Sequence, residues 1–211
     1  GYGSLYSNTT ASNNTAVGYE SLYSNTTGTQ NVSVGGISGR SLTTGSYNLA
    51  VGYRALNSAT TSSNNTALGS NALRNTTTGS LNVAIGAAAL WQNTTGASNL
   101  ALGQSALDAN TSGSDNTALG ANTLYSNTTG SGNIGIGAQS LYRSYDADNN
   151  TAIGYQSGYN NQSGSKSVFI GYQAGYSETG SNKLYIANGS SNSNRLIYGD
   201  FSTGNMTIGN G

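Results

Sequence analysis

The sequence predicts an all-β solenoid, and three observations predict it. Asparagine recurs every 17 residues, at Asn14, Asn31, Asn48, Asn65, Asn82, Asn99, Asn116, Asn133 and Asn150, without slippage. Three places after each stands an aliphatic residue, from Val17 through Ile85 and Ile136 to Ile153, and Ile170 continues the series. The composition is poor in helix formers: 31 glycines, 7 % charged residues, and Ser, Thr and Asn over most other positions. A fixed period of this length marks stacked coils. Helices built from such a repeat would lose about 1 kcal/mol at each interior glycine, and disordered chains do not hold an aliphatic residue in register over many repeats.

With Asn14 as column one, a coil reads N-T-A-V-G-Y-E-S-L-Y-S-N-T-T-G-T-Q and ends at Gln30. Columns two to four suit a short strand, because aliphatic and β-branched residues fit a pleated, half-buried surface. Side chains alternate across a strand, so columns three and four point opposite ways. Column four is never polar and is expected to face the coil interior. Column nine, leucine at Leu22, Leu56, Leu73, Leu90, Leu107, Leu124 and Leu141, is expected to form the facing wall. Column three is small, as at Ala16 and Ala84, and is expected to meet a second surface outside the coil. The invariant glycine of column five, as at Gly18, Gly86 and Gly103, implies a turn at positive φ or a close backbone approach. The T-T-G of columns thirteen to fifteen marks another turn, so each coil is expected to hold two short strands and two turns. Stacked at ~4.8 Å, the coils make a rod of roughly 50–60 Å. So thin a core is marginal alone, and identical coils favour closed symmetry. A three-chain rod would bury column three near its axis.

Composition narrows the function. Seven basic and seven acidic side chains cancel, and no basic stripe offers itself to nucleic acid. No stretch approaches 18 apolar residues, so no membrane span is expected. Cysteine, histidine and proline are absent, and the acids Glu20, Asp108, Asp115, Asp146, Asp148, Glu178 and Asp200 are scattered. General acid–base work needs a carboxylate pair held across a cleft. No enzyme and no cofactor is expected. Gly1 falls in column five, so the chain opens in mid-coil, as a piece of a longer or a processed protein would.

Five sets of residues are candidates for more than packing. The asparagine column could be a row of ligand-binding amides, but it is read as a structural ladder bonding up the stack. Tyrosine, 15 residues against two Phe and one Trp, concentrates in columns six and ten. Such rows either stack on one another or offer platforms to sugars and proteins. The cluster Tyr142, Tyr155, Tyr159, Tyr172 and Tyr176 is the expected receptor face, since tyrosines give contact area at low entropic cost. Thr-Thr pairs such as Thr26-Thr27 raise ice binding, but neighbouring strand residues face opposite ways, and that mode wants T-x-T. Asp146, Asp148 and Asn150 have the first spacing of a calcium loop, but Thr151 stands where glycine should and no glutamate closes the loop. Asparagines in N-x-[ST] contexts, such as Asn8 and Asn25, are glycan acceptors in a glycosylating host, though composition alone produces the motif here.

The motif N-x-A-[VIL]-G, as in Asn14–Gly18, Asn82–Gly86 and Asn116–Gly120, with Ser167-Val168-Phe169-Ile170-Gly171, resembles the head repeats of YadA-type trimeric autotransporter adhesins. The longer repeat, with N-T-A-V-G-Y and L-Y-S-N-T-T-G, is similar to repeats of phage tail fibres and bacterial surface fibres. The resemblance covers residues 1–182. It implies an all-β, single-stranded left-handed parallel β-roll (solenoid), joined as a homotrimer. From Ser167 to Lys183 the step shortens to 16. The run L-Y-I-A-N … L-I-Y-G-D-F-S-T-G … I-G then resembles the connector before endosialidase-type chaperone domains, so residues 183–211 are expected to form a β-rich connector or cap. The resemblance implies an extracellular, non-enzymatic fibre on a bacterial surface or a virion tail, presenting a binding surface to a host glycan or protein receptor. End-to-end self-association into a filament and ice binding are the alternatives.

Overall fold

A computed structural model describes residues 1–191 and 195–209; residues 192–194 and 210–211 of the expected connector lie outside the described residues. The described residues form one 13-stranded sheet whose strands follow chain order, with no helix. Each of the first ten strands is three residues long, from β1 (Thr15–Val17) through β5 (Val83–Ile85) to β10 (Val168–Ile170). From β1 to β10 each pairs in parallel with its neighbour at the 17-residue step, as Ala84 does with Ala101. The chain is thus a parallel β-solenoid. The sheet passes unbroken across residue 182: β11 (Lys183–Ala187) pairs in parallel with β10. Only then does the direction reverse, as β12 (Arg195–Asp200) and β13 (Asn205–Ile208) add in antiparallel fashion.

The strand faces are the opposite of those expected from the sequence. Column three points inward: Ala84, Ala101, Ala118 and Ala152 are fully buried. Column four points outward, with Val17 55 %, Ile85 39 % and Ile170 37 % exposed. The reason is the width of the coil. A Cβ placed on Gly135, a column-three position, would lie 2.6 Å from the Thr123 methyl and 3.6 Å from a Leu124 methyl. The far wall, columns eight and nine, is one side chain away: leucine in column nine beside alanine or serine in column eight leaves room for alanine on the strand, and at Gly135, where Thr123 stands in column eight, not even for that. Phe169 is the exception that obeys the same rule. It fills column three where column nine is Gly158 and Gly175, and a Cβ on those glycines would come within 2.7 and 2.2 Å of its ring.

Each coil contains one strand, not two. Columns six to eleven are a run of turns in which columns seven and nine both have positive φ, as in Arg54 (58°) with Leu56 (52°). The left-handed residues turn successive N–H groups along the stack in alternating directions: Glu20 N donates back to Tyr2 O, and Leu22 N donates forward to Ser38 O. Backbone groups are satisfied from coil to coil without strand geometry.

Column five meets both conditions proposed for it. Gly18, Gly86 and Gly103 have φ of 134°, 134° and 138°, and a Cβ on each would lie within 2.5 Å of the next coil's glycine oxygen.

Candidate functional site

Two polar ladders run inside the coil. In column one, the Asn82 backbone N–H and Nδ2 donate to Asn65 Oδ1 at 3.0 and 3.3 Å, and Nδ2 also donates to Gly96 O at 2.9 Å. The pattern repeats from Asn31 to Asn150, and Ser167 N closes it on Asn150 Oδ1. These amides are buried and mutually occupied, which leaves no surface row for a ligand. Column twelve holds a second ladder, unread in the sequence: Asn110 and Asn127 each donate Nδ2 to the asparagine one coil earlier at 2.8 Å. Its signal was the N of S-N-T-T-G, recurring at the same 17-residue step.

Burial of Asn150 in the first ladder removes the calcium-loop reading. Asp146 and Asp148 are exposed, and Asp148 Oδ1 accepts the Ser131 N–H at 2.7 Å. The Asn150 amide is engaged with Asn133 Oδ1, Gly164 O and the Ser167 N–H, and no group of three His, Cys, Asp or Glu capable of holding a metal occurs among the described residues. The column-thirteen threonines are also engaged: Thr26 Oγ1 donates to Thr43 O at 3.1 Å. One hydroxyl of that T-T pair therefore serves the stack and not water.

The five tyrosines of the expected receptor face separate into two rows. Tyr155 and Tyr172, in column six, are 44 % and 50 % exposed and stack with centroids 5.6 Å apart. Tyr142, Tyr159 and Tyr176, with Tyr125, form a half-buried ladder in column ten at 4.9–5.1 Å with interplanar angles of 10° or less. Column seven lies between the rows in sequence and carries its own ladder, in which Gln156 donates to Gln139 and Gln173 to Gln156. Within the column-ten row the ring faces cover one another, so edges and hydroxyls are what its middle presents to solvent.

The column-ten row is interrupted at Asp108, which stands one coil from Trp91 and one from Tyr125 and is only 4 % exposed. Burial pushes its carboxyl above the ordinary range, and hydrogen bonds from Gln92 and Ser105 oppose the shift.

A polar cavity of about 190 Å³ lies where the solenoid gives way to the antiparallel strands. Its walls include Tyr176, Glu178, Tyr185 and Arg195, with Gly175 among its lining residues. Glu178 occupies column twelve, and its Oε1 accepts the N–H groups of Thr179 and Gly180 at 3.0 and 2.8 Å. Its Oε2 accepts the Tyr185 hydroxyl. Tyr185 is 6 % exposed, and burial first, then the bond to Glu178, raises its pKa strongly, so the phenol stays protonated. The Arg195 guanidinium sits 4.8 Å from the ring centres of both Tyr185 and Tyr198. Sequence reading missed this site because it draws on column ten, column twelve, β11 and β12 at once; Glu178 stood out only as an isolated acid.

The outer face of the sheet carries an unpartnered row of aliphatic residues. Columns two and four give it Val32, Ile85, Ile134 and Ile153, each 38–39 % exposed. The register carries it on through Leu184 and Ile186 of β11, Ile197 of β12 and Ile208 of β13. No helix among the described residues is long and apolar enough to cross a membrane. Comparison with protein-family models, with curated proteins and with solved structures returned no match.

Proposed function

We propose that this chain is a segment of a non-enzymatic extracellular fibre, of the YadA-like head or tail-fibre kind, in which the outer face of the sheet is buried between copies of the chain. One observation carries the reading: the parallel strands β1 to β11 have one face filled by their own coil and the other lined by an unbroken aliphatic column four that nothing in the chain covers. Parallel sheets are stable with both faces covered, and contiguous exposed apolar surface of this extent marks an interaction site. The face repeats at each coil, so closed symmetry covers it most simply. Three copies meeting along a common axis is the arrangement that the resemblance of the repeat implies. The column-four face, not column three, then lies at the axis, and the tyrosine rows stay outside, available to a host-surface glycan or protein.

Light scattering on the purified protein tests this. The expected mass is that of a trimer at micromolar concentration. Leu102→Glu, on the outer face, is expected to reduce it to the monomer while leaving the β circular dichroism in place. A parent protein that is itself monomeric overturns the reading.

A further inference from the structure

We infer that the cavity at the junction of solenoid and antiparallel strands binds a single neutral pyranose ring, the terminal sugar of a larger glycan. The inference rests on the reading of the chain as a surface-binding fibre and names the chemistry of its receptor.

The tyrosine ladder ends at this cavity. Tyr159 covers one face of Tyr176, at 4.9 Å and 10°, and no ring of the described residues stacks on the other. Tyr176 lines the cavity, so the end of the ladder brings to it a ring that no described ring covers on its second face. A pyranose has one face of C–H bonds and a rim of hydroxyls. The C–H face suits an open ring, and the rim needs donors and acceptors placed around it. The walls provide both kinds. Glu178 accepts, and with Oε1 held by two backbone N–H groups and Oε2 by the Tyr185 hydroxyl its carboxylate is fixed in place before any ligand arrives. The Ser190 hydroxyl adds a donor. One carboxylate and one guanidinium balance in charge, which favours a neutral sugar over an acidic or amino sugar. A volume of about 190 Å³ takes one ring, and the rest of a glycan projects outward.

The probes are the methyl glycosides of glucose, galactose, mannose, N-acetylglucosamine and N-acetylgalactosamine, each tested against the intact protein by saturation-transfer NMR and titration. At least one is expected to bind in the millimolar range. Tyr176→Ala is expected to weaken it about tenfold, whereas Tyr142→Ala, in the middle of the ladder, changes it less than about twofold. Glu178→Gln is expected to weaken binding as well. A parent protein that binds none of the five overturns the inference. So does a folded Tyr176→Ala protein that binds as the parent does, or an equal loss from Tyr142→Ala, which would move the site to the ladder face. If the alanine variant does not fold, NOEs in the parent between sugar C–H protons and the Tyr176 ring decide, and their absence with sugar bound overturns the inference. A trimer that binds no sugar leaves the fibre reading standing and removes only this one.

Discussion

Leucine in the left-handed region is a costly choice, and this chain makes it coil after coil. Leu22, Leu56, Leu73, Leu90, Leu107, Leu124 and Leu141 have φ between 50° and 54°. Such a conformation costs a non-glycine residue roughly 1–2 kcal/mol. Each of these side chains is at most 1 % exposed, and full burial of a leucine contributes about 1.5–3 kcal/mol. Burial wins by a narrow margin, which explains why the same column also tolerates Gly39, Gly158 and Gly175 where another side chain takes the space. Glycine in column five has no such freedom. Gly86→Ala would set a Cβ 2.5 Å from Gly103 O at φ 134°, so a loss of at least about 2 kcal/mol is expected in denaturant unfolding. Gly36→Ala is the control. Its Cβ would meet only the Tyr53 ring at 3.5 Å, and a change within about 0.5 kcal/mol is expected. Asp108 gives a second test. Its carboxyl pKa is raised in the folded state by burial, so its contribution to stability is complete below the ordinary carboxylate range and is lost as the pH rises through the raised value. Asp108→Asn is therefore expected to raise Tm at neutral pH. That gain should shrink to nothing in acid, and a gain independent of pH would mean that the carboxylate is not the cause.

Within a coil, columns twelve and fifteen constrain each other. From Asn25 onward, where column twelve is asparagine, column fifteen is glycine, because a Cβ there would meet the amide: 2.4 Å for Gly96 against Asn93, 2.5 Å for Gly113 against Asn110; only at the exposed first coil does Asn8 stand with Ala11. Where column fifteen is larger, as at Ser62 and Ala147, column twelve shrinks to Ala59 and Ser144. Each shrinkage or replacement also breaks the amide ladder. The buried asparagine oxygens without a partner, Asn25, Asn127 and Asn161 Oδ1, each end a run of asparagines, facing Leu42, Ser144 and Glu178 in the next coil. Ser144→Asn with Ala147→Gly should rejoin the run from Asn93 to Asn161. Recovery of a buried hydrogen bond makes the double variant about 1 kcal/mol more stable than the parent. Ser144→Asn alone should be destabilised by the clash with Ala147, and thermal unfolding of the four members of the cycle measures the coupling. Simple addition of the two single effects would refute the pairing.

This pairing stood in the sequence as a correlation between two columns, as legible as the period itself, but only the coil's cross-section gives it meaning. The period, the strand at columns two to four and the glycine of column five could all be read directly. Which strand face lies inside could not, because alternation defines two faces without ranking them, and the larger, invariant aliphatic column suggested a core. A coil one side chain wide reserves its interior for alanine. The turns of columns seven to nine were hidden for another reason: leucine and arginine are not turn formers, and only tertiary packing holds them at positive φ. The junction cavity was hidden because its walls come from four separate columns and strands.

At the scale of the molecule, the chain behaves as a one-dimensional stack. Each coil bonds to its two neighbours through ladders, strand pairs and rings, and stability is expected to be a sum over coils and their interfaces. The junction breaks this uniformity. There Lys183 and Asp200 pair at 2.6 Å across β11 and β12, and the lysine, followed by Ser202, holds the carboxyl well below its ordinary range. That contribution is present above the ordinary carboxylate pKa and is lost as the pH falls, the reverse of Asp108. Acid is therefore expected to loosen the antiparallel end before the coils. The stack itself makes a sharper prediction. Removing residues 99–115 joins the Asn82 coil to the Asn116 coil with every column in register. It brings Asn93 beside Asn127, places Trp91 next to Tyr125, and discards the buried Asp108. This shortened protein is expected to fold, keep its β circular dichroism, and melt cooperatively near the parent. Removing residues 99–114 instead leaves one residue too many between the coils. A slip of one position turns each strand side chain to the opposite face, so the asparagine and leucine columns on the two sides of the junction could not both lie inside. Loss of the single cooperative melt is expected for that variant alone, and equal behaviour of the two deletions would show that register does not hold the solenoid together.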